Sequence, residues 1–379
     1  MRKYKKLFVL MLALPLVLLA FGCPEIEKEG NFIPDTDYVP LILEPGDPDF
    51  AARTDLYRFY DDFSTGDAAN NNMLDSTKWG YDLAGGGFGS TPRAYYQSDN
   101  IRIVDCDEIP GNRKAVITMK KQSIANRDFT SGKFWTRDKF ASTYGKIEAK
   151  IRICNKLIEG GYAENPTNLQ SLFPSFWMMP ADSVYGGWPR SGEIDIMNIM
   201  GSLPSRMFSN IHRRAESATQ NGQTWITLTS SRSPTGGGLL ASYDGDDYIY
   251  ADIINGIPGG SDAGDWHVYC LEWDYDGERI EFRFYIDDVL TYTIKESQWD
   301  AYSNSGGFNG ELPKPKPFDQ DFYLIFDLSF VNSPPSTSAA IFQDDAPPVE
   351  YEIDWVVWRE IMPRDGEPGG IQKPIYPEQ

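Results

Sequence analysis

Apolar residues recur at every second position along several short runs of this chain. The clearest lies at 145–154, where Ile147, Ala149, Ile151 and Ile153 alternate with other side chains. An extended strand points successive side chains to opposite faces, so this spacing predicts a strand with one buried face. Further strands are predicted at 101–104, 115–120, 267–273, 279–286, 290–294, 322–330 and 351–361. No sustained helical period follows the first 22 residues. Many short strands with turn punctuation between them predict an all-β sandwich or barrel.

One run departs from the simple pattern. Ser191-Gly192-Glu193-Ile194-Asp195-Ile196-Met197-Asn198 sets Glu193 and Asp195 on one face of a strand, with Ile194 and Ile196 on the other. Unpaired buried carboxylates are costly, but the wall of an open cleft tolerates them. A Gly- and Trp-rich lead-in, Gly186-Gly187-Trp188-Pro189-Arg190, and an apolar run, Phe173–Pro180, argue for a cleft rather than a plain solvated face.

Residues 187–198 resemble the signature of glycoside hydrolase family 16, in its laminarinase-like branch. Other blocks follow in that family's order: Phe140-Ala141-Ser142-Thr143-Tyr144-Gly145, Phe176-Trp177-Met178-Met179-Pro180, Asp265-Trp266-His267, Phe284-Tyr285-Ile286-Asp287 and Ile353-Asp354-Trp355-Val356. The resemblance implies an all-β jelly-roll sandwich of two antiparallel sheets, with a concave glycan cleft, across residues 55–362. It also implies roles along a Glu-x-Asp-x-x-Glu strand. Glu193 stands at the nucleophile position and Asp195 at that of its assistant. The general acid/base position is held by Asn198.

That difference governs the expected chemistry. Retaining glycosidases use two carboxyl groups about 5–5.5 Å apart, one attacking the anomeric carbon and one protonating the departing oxygen. Position 198 has the opposite parity to 193, so both face the cleft only if a β-bulge adds a residue near Ile196-Met197. An amide has no proton to exchange near neutral pH. Loss of acid–base assistance costs about 10²–10⁴-fold in rate. Three readings compete: a polysaccharide-binding protein with hydrolysis lost or severely reduced, an active retaining endo-β-glycosidase with a substitute acid, and chemistry on a bond that needs less leaving-group help. Glu159, Glu164, Asp244, Asp246 and Asp247 are substitute acids by location only. A structural envelope lipoprotein without glycan affinity is a further alternative.

Composition narrows the ligand. Of 379 residues, 14% are aromatic, which leaves rings to spare for sugar faces. The formal net charge of −20 disfavours nucleic acid and sulfated glycans, so a neutral β-glucan-like polysaccharide fits best. Trp188 is the foremost candidate for stacking on sugar. Trp177 follows, with core packing as its alternative. His212 matches a cleft histidine of the family. With two histidines in the chain, a His-rich zinc site is excluded. No cofactor is required. The family resemblance raises a structural Ca²⁺ held by Asp62, Asp354 and a carbonyl near Gly111, with solvated acids as the equal alternative.

The N-terminus reads as a secretion signal. Arg2, Lys3, Lys5 and Lys6 precede an apolar run from Leu7 to Ala20. Cys23 then resembles a bacterial lipoprotein cleavage site, giving 1–22 as signal peptide and Cys23 as the lipidated residue. Residues 23–54, rich in Pro and acid, are expected to be a flexible tether, and 363–379 a tail. These features imply a protein of the bacterial cell envelope, attached to the membrane through lipid on Cys23, with ordinary signal cleavage and secretion as the alternative; a monomer is expected. Cys106, Cys154 and Cys270 remain, an odd number that cannot fully pair. The long stretches 155–170 and 213–264 are expected to be cleft rims or connections.

Overall fold

The computed structural model describes residues 44–361 apart from 48, 66–71, 84–93, 107–110, 154–171, 189, 200–205, 218–223, 230–250, 253–265, 278–279, 295–307, 310–315 and 331–347. The signal peptide, Cys23, Cys154 and the C-terminal tail therefore lie outside the described residues.

Among the described residues the strands run in chain order as β1 Phe59–Asp61, β2 Gly80–Tyr81, β3 Tyr95–Tyr96, β4 Ile101–Asp105, β5 Arg113–Ile124, β6 Arg127–Ser131 and β7 Lys133–Trp135. Next come β8 Gly145–Ile153, β9 Leu172–Pro180, β10 Glu193–Ile199, β11 Arg206–Ser217, β12 Thr224–Thr229 and β13 Ala251–Asp252. The last are β14 His267–Tyr275, β15 Ile280–Ile286, β16 Val289–Ile294, β17 Phe308–Asn309, β18 Phe322–Phe330 and β19 Val349–Arg359. Every strand expected from alternation is present. The stretch 213–264 differs: it holds the end of β11, all of β12 and β13, so it is not simply a connection.

Two sheets form a jelly-roll sandwich. The first runs β16-β15-β14-β8-β19-β5-β6-β3, with β1 beside β19 and β4 beside β5. The second runs β12-β11-β10-β9-β18-β7-β2, with β13 and β17 beside β11. Neighbours are antiparallel apart from the short β3–β6 contact.

The core lies between the sheets. Ile147, Ala149 and Ile151 of β8 point into it, as their spacing predicts. Phe176 of β9 stacks on Phe326 of β18 at 4.5 Å, and Trp273 of β14 meets Phe322 of β18 edge-on at 5.4 Å across the sandwich. Burying each such ring stabilises the fold by roughly 1.5–3 kcal/mol.

A smaller cluster covers the outer face of the first sheet. Phe50 is fully buried there with Tyr60, Trp355 and Val357, and Leu56, Tyr57 and Val268 pack around them. Arg359 reaches Glu44 at 3.1 Å. Residues 44–54 thus belong to the packed domain, except that residue 48 is not described, and the boundary expected at 55 moves to 44. A lone Phe in a Pro- and acid-rich stretch carries no periodicity, which is why this segment reads as tether. Cys106 and Cys270 are buried thiols.

Candidate functional site

Strand β10 lies between β9 and β11 in the second sheet. Glu193 stands opposite His212 on β11, and Asp195 opposite Asn210. On the other side Asp195 faces Trp177 of β9 and Asn198 faces Ser175. The register slips by one residue between Asp195 and Met197 against β9, and between Asp195 and Asn198 against β11. This is a β-bulge at the place the parity argument requires. Its consequence shows in the packing: Ile194, Ile196, Met197 and Ile199 all enter the core, two of them in succession. Asn198 is thereby returned to the face of Glu193 and Asp195.

The acids are held by a short hydrogen-bonded chain. His212 Nε2 lies 3.1 Å from Asp195 Oδ2 and 3.8 Å from Glu193 Oε1. Asn210 Nδ2 donates to Asp195 Oδ2 at 3.2 Å. Trp188 Nε1 donates to Glu193 Oε2. Burial, reinforced by the charge of Asp195, pushes the Glu193 carboxyl well above the usual range, against the pull of His212 and the Trp188 hydrogen bond. Burial alone would lower His212, but its hydrogen bond to Asp195 and the two nearby carboxylates raise it to about 9. The imidazolium is thus a local counter-cation for both acids. Such a chain can poise one carboxylate for attack while steadying its negative charge.

The lead-in turn is fixed from below. Ser191 Oγ accepts from the backbone of Tyr185 at 3.0 Å and donates to Gly186 O at 2.6 Å. Gln320 Nε2 donates to Ser191 O at 3.0 Å. Gly192 has φ +90° and sits against Phe318 and Phe322, so a Cβ there would be strained and crowded. The turn leaves Trp188 46% exposed, with its ring 6.0 Å from that of His212. An exposed indole tethered at one end is a suitable platform for a sugar face.

Trp177 occupies the same sheet face one strand away, in a cluster with Tyr323 and Ile325 rather than in the main core. Its Nε1 donates to Asp327 Oδ1 at 2.7 Å, and Tyr96 OH donates to Asp327 Oδ2 at 2.9 Å. Lys133 Nζ lies 5.0 Å from the Trp177 ring centroid and 3.0 Å from Asp82. Burial raises the Asp327 carboxyl, while the Lys133 charge and the two hydrogen bonds oppose that shift. Asn198, Ser175, Asp327 and Lys133 form one cross-strand row. Sequence reasoning assigned no role to Asp327 or Lys133. The available signal was a single acid inside the apolar run 322–330.

The acids proposed for calcium sit otherwise. Asp354 Oδ2 is 2.7 Å from Lys150 Nζ, and its Oδ1 accepts from Asn112 at 2.9 Å. Asp62 Oδ1 accepts from the backbone and hydroxyl of Ser64. A lysine ammonium already stands at Asp354 where a cation would bind, so Asp62, Gly111 and Asp354 do not fit a resident Ca²⁺ as arranged. Among the described residues, the group of three acids or histidines close enough to share a metal is Glu193, Asp195 and His212. Glycosidase chemistry of this type needs no cofactor. His267 is buried against Asp287 at 2.6 Å, a structural role as expected. Glu159, Glu164, Asp244, Asp246 and Asp247 lie outside the described residues.

No protein-family model matches the chain. It is 30% identical over 276 residues to a glucan endo-1,3-beta-glucosidase A1 of Niallia circulans, covering 69% of this chain and 33% of that protein. It is 30% identical over 205 residues to a beta-1,3-glucan-binding protein of Penaeus monodon, covering 53% of this chain and 46% of that one. The chain thus spans less than half the length of either relative. The X-ray structure of the laminarinase from Rhodothermus marinus superposes with a TM-score of 0.52 at 25% identity, over 81% of this chain and 98% of that one. With the sandwich and the bulged acidic strand in place, these similarities assign the chain to glycoside hydrolase family 16, in its laminarinase-like branch.

Proposed function

We propose that the cleft binds a neutral β-1,3-glucan-type polysaccharide, with hydrolysis lost or severely reduced. The observation that carries this reading is Asn198, an amide on the Glu193 face of β10 where a proton donor is needed. Trp188 and Trp177 offer ring faces, and Asn198 still offers hydrogen bonds to a bridging oxygen. A relative with the name of a glucan-binding protein supports the same reading.

The alternative is an active retaining endo-β-glycosidase with a substitute acid. The intact set of Glu193, Asp195 and His212 favours it, as does the relative named as a glucosidase. The test is retention on a laminarin affinity gel, together with reducing-end release by the native protein and by Asn198→Glu. The binding reading expects retention, little release by native protein, and a gain of about 10²–10⁴-fold in the variant. Strong, equal release by both proteins would reject it.

The same proposal places the protein at the bacterial envelope, as a monomer attached through lipid on Cys23. Metabolic labelling with a fatty acid should mark the native chain and spare Cys23→Ala. Equal labelling of both would remove the anchor from the proposal.

A further inference from the structure

Strands β10 and β11 gather donors of a kind that also suits a metal ion. Across the pair, His212 Nε2 lies 3.1 Å from Asp195 Oδ2 and 3.8 Å from Glu193 Oε1. One donor atom from each of the three residues lies within 4.8 Å of the other two. Ligands held at about 2.0–2.2 Å from a zinc-sized ion stand roughly 3–3.5 Å apart. The edges that meet at His212 are close to that spacing.

A fourth residue points to a ligand independently. Asn210 stands opposite Asp195 on β11 and is only 5% exposed. Its Nδ2 donates to Asp195 Oδ2 at 3.2 Å, but its Oδ1 is buried with no hydrogen-bond partner among the described residues. A buried acceptor without a partner is destabilising. The two ends of a carboxamide are nearly alike in size, and a half-turn about its last bond exchanges them. The oxygen then stands where the nitrogen was, 3.2 Å from Asp195 Oδ2. Two oxygens at that distance are favourable only with a cation between them.

The donor set also selects the ion. Oxygen ligands alone would suit Ca²⁺ or Mg²⁺, whereas an imidazole among carboxylates suits a first-row transition metal. Two carboxylates match the charge of a divalent ion. A His-rich site is not needed, because the carboxylates and the amide supply the other donors. The side chains of His212 and Glu193 are 19% and 13% exposed, so water can complete the coordination.

We propose that Glu193, Asp195, His212 and Asn210 form a site for one divalent transition-metal ion of the zinc class on the floor of the cleft. The ligand atoms are Glu193 Oε1, Asp195 Oδ2, His212 Nε2 and Asn210 Oδ1. Trp188 Nε1 donates to the other Glu193 oxygen, Oε2, and so orients the carboxylate as an outer partner. Binding displaces the protons that the imidazole and the carboxyl carry. The ion then supplies the counter-charge that the two acids otherwise draw from the imidazolium. It also engages the oxygen that would attack a sugar, so a loaded site is closed to that attack whatever side chain stands at 198. The site does not depend on which glycan the cleft takes.

The experiment strips the full chain with EDTA, then titrates it with Zn²⁺ by calorimetry and with Co²⁺ by visible absorption. One ion per chain is expected, with the d–d bands of Co²⁺ held by nitrogen and oxygen, and Ca²⁺ should not displace it. His212→Ala should abolish binding. Glu193→Gln and Asn210→Ala should each weaken it at least roughly tenfold. Circular dichroism and the denaturant midpoint show which variants are folded. Glu193→Gln keeps the shape of the side chain, so it decides the matter even where an alanine variant fails to fold. Native protein that takes up no zinc overturns the proposal. Zinc uptake that is equal in native protein and Glu193→Gln overturns it as well, because the ion then lies elsewhere.

Discussion

Buried carboxylates occur on the outer faces of both sheets, and they are treated in opposite ways. On the first sheet each is met by at least one lysine or arginine, although Arg283 serves Glu272, Asp274 and Glu281 together. Glu352 is bound by Lys114 at 3.0 Å and by Arg152, Glu148 by Lys146 at 2.7 Å and Arg359 at 2.8 Å, and Glu272 by Arg283 at 2.8 Å. On the second sheet Glu193 and Asp195 share one imidazole, with neutral donors from Trp188 and Asn210 making up the rest. The first arrangement stabilises by compensation. The second leaves Glu193 holding its proton against the ordinary tendency of a carboxyl. Under-compensated charge is a common mark of a functional site, whereas matched charge is compatible with a purely structural role. The same residue type thus serves fold or chemistry according to how many cations face it.

The contrast can be broken at its strong end. Glu352→Ala would strand Lys114 and Arg152 with a buried carboxylate removed, and should cost about 3–5 kcal/mol of unfolding free energy, read as a lower denaturant midpoint. A change near zero would mean that water or other acids already compensate those cations. Next in size is Trp177→Phe, which takes one donor from Asp327 while keeping a ring in place. A loss of about 1–3 kcal/mol is expected, with glycan retention weakened as well.

Glu193→Gln should act in the other direction. His212 is raised to about 9 from an ordinary 6.5, so its charge supports the fold fully below 6.5, and that support fades as pH rises through about 9. The Glu193 proton likewise supports the fold at acid pH, and its contribution is lost between the ordinary 4.5 and the elevated native value. Above that window the native fold carries an under-compensated anion. The glutamine variant should therefore be more stable by about 1 kcal/mol at alkaline pH, with the gain vanishing as pH falls below 4.5. A stability gain that is flat with pH would count against the raised carboxyl. Trp188→Ala closes the series: exposed as it is, its loss should move stability by less than about 0.5 kcal/mol while lowering glycan affinity roughly tenfold. Unchanged affinity would remove Trp188 from the binding surface.

Much of this was legible in the chain because period-two alternation is a local property. Strand β8 and the acidic face of β10 follow from spacing alone, whereas the bulge follows from the family resemblance, which sets Glu193 and Asn198, positions of opposite parity, on one face. What escaped depends on partners distant in sequence. Asp327 and Trp177 are 150 residues apart, and nothing in either local run announces their hydrogen bond. The packing of Phe50 under Trp355 is hidden for the same reason. The lysine beside Asp354 sits on a different strand, so the family resemblance raised a metal where an ammonium stands.

The doubled inward step at Ile196 and Met197 has one more effect. Aim at position 198 is set by main-chain geometry and by two apolar neighbours, not by the residue that occupies it. The backbone thus presents whatever side chain stands at 198 to the Glu193 face, so an exchange of amide for carboxyl there changes the chemistry offered to a ligand while the strand's aim stays fixed.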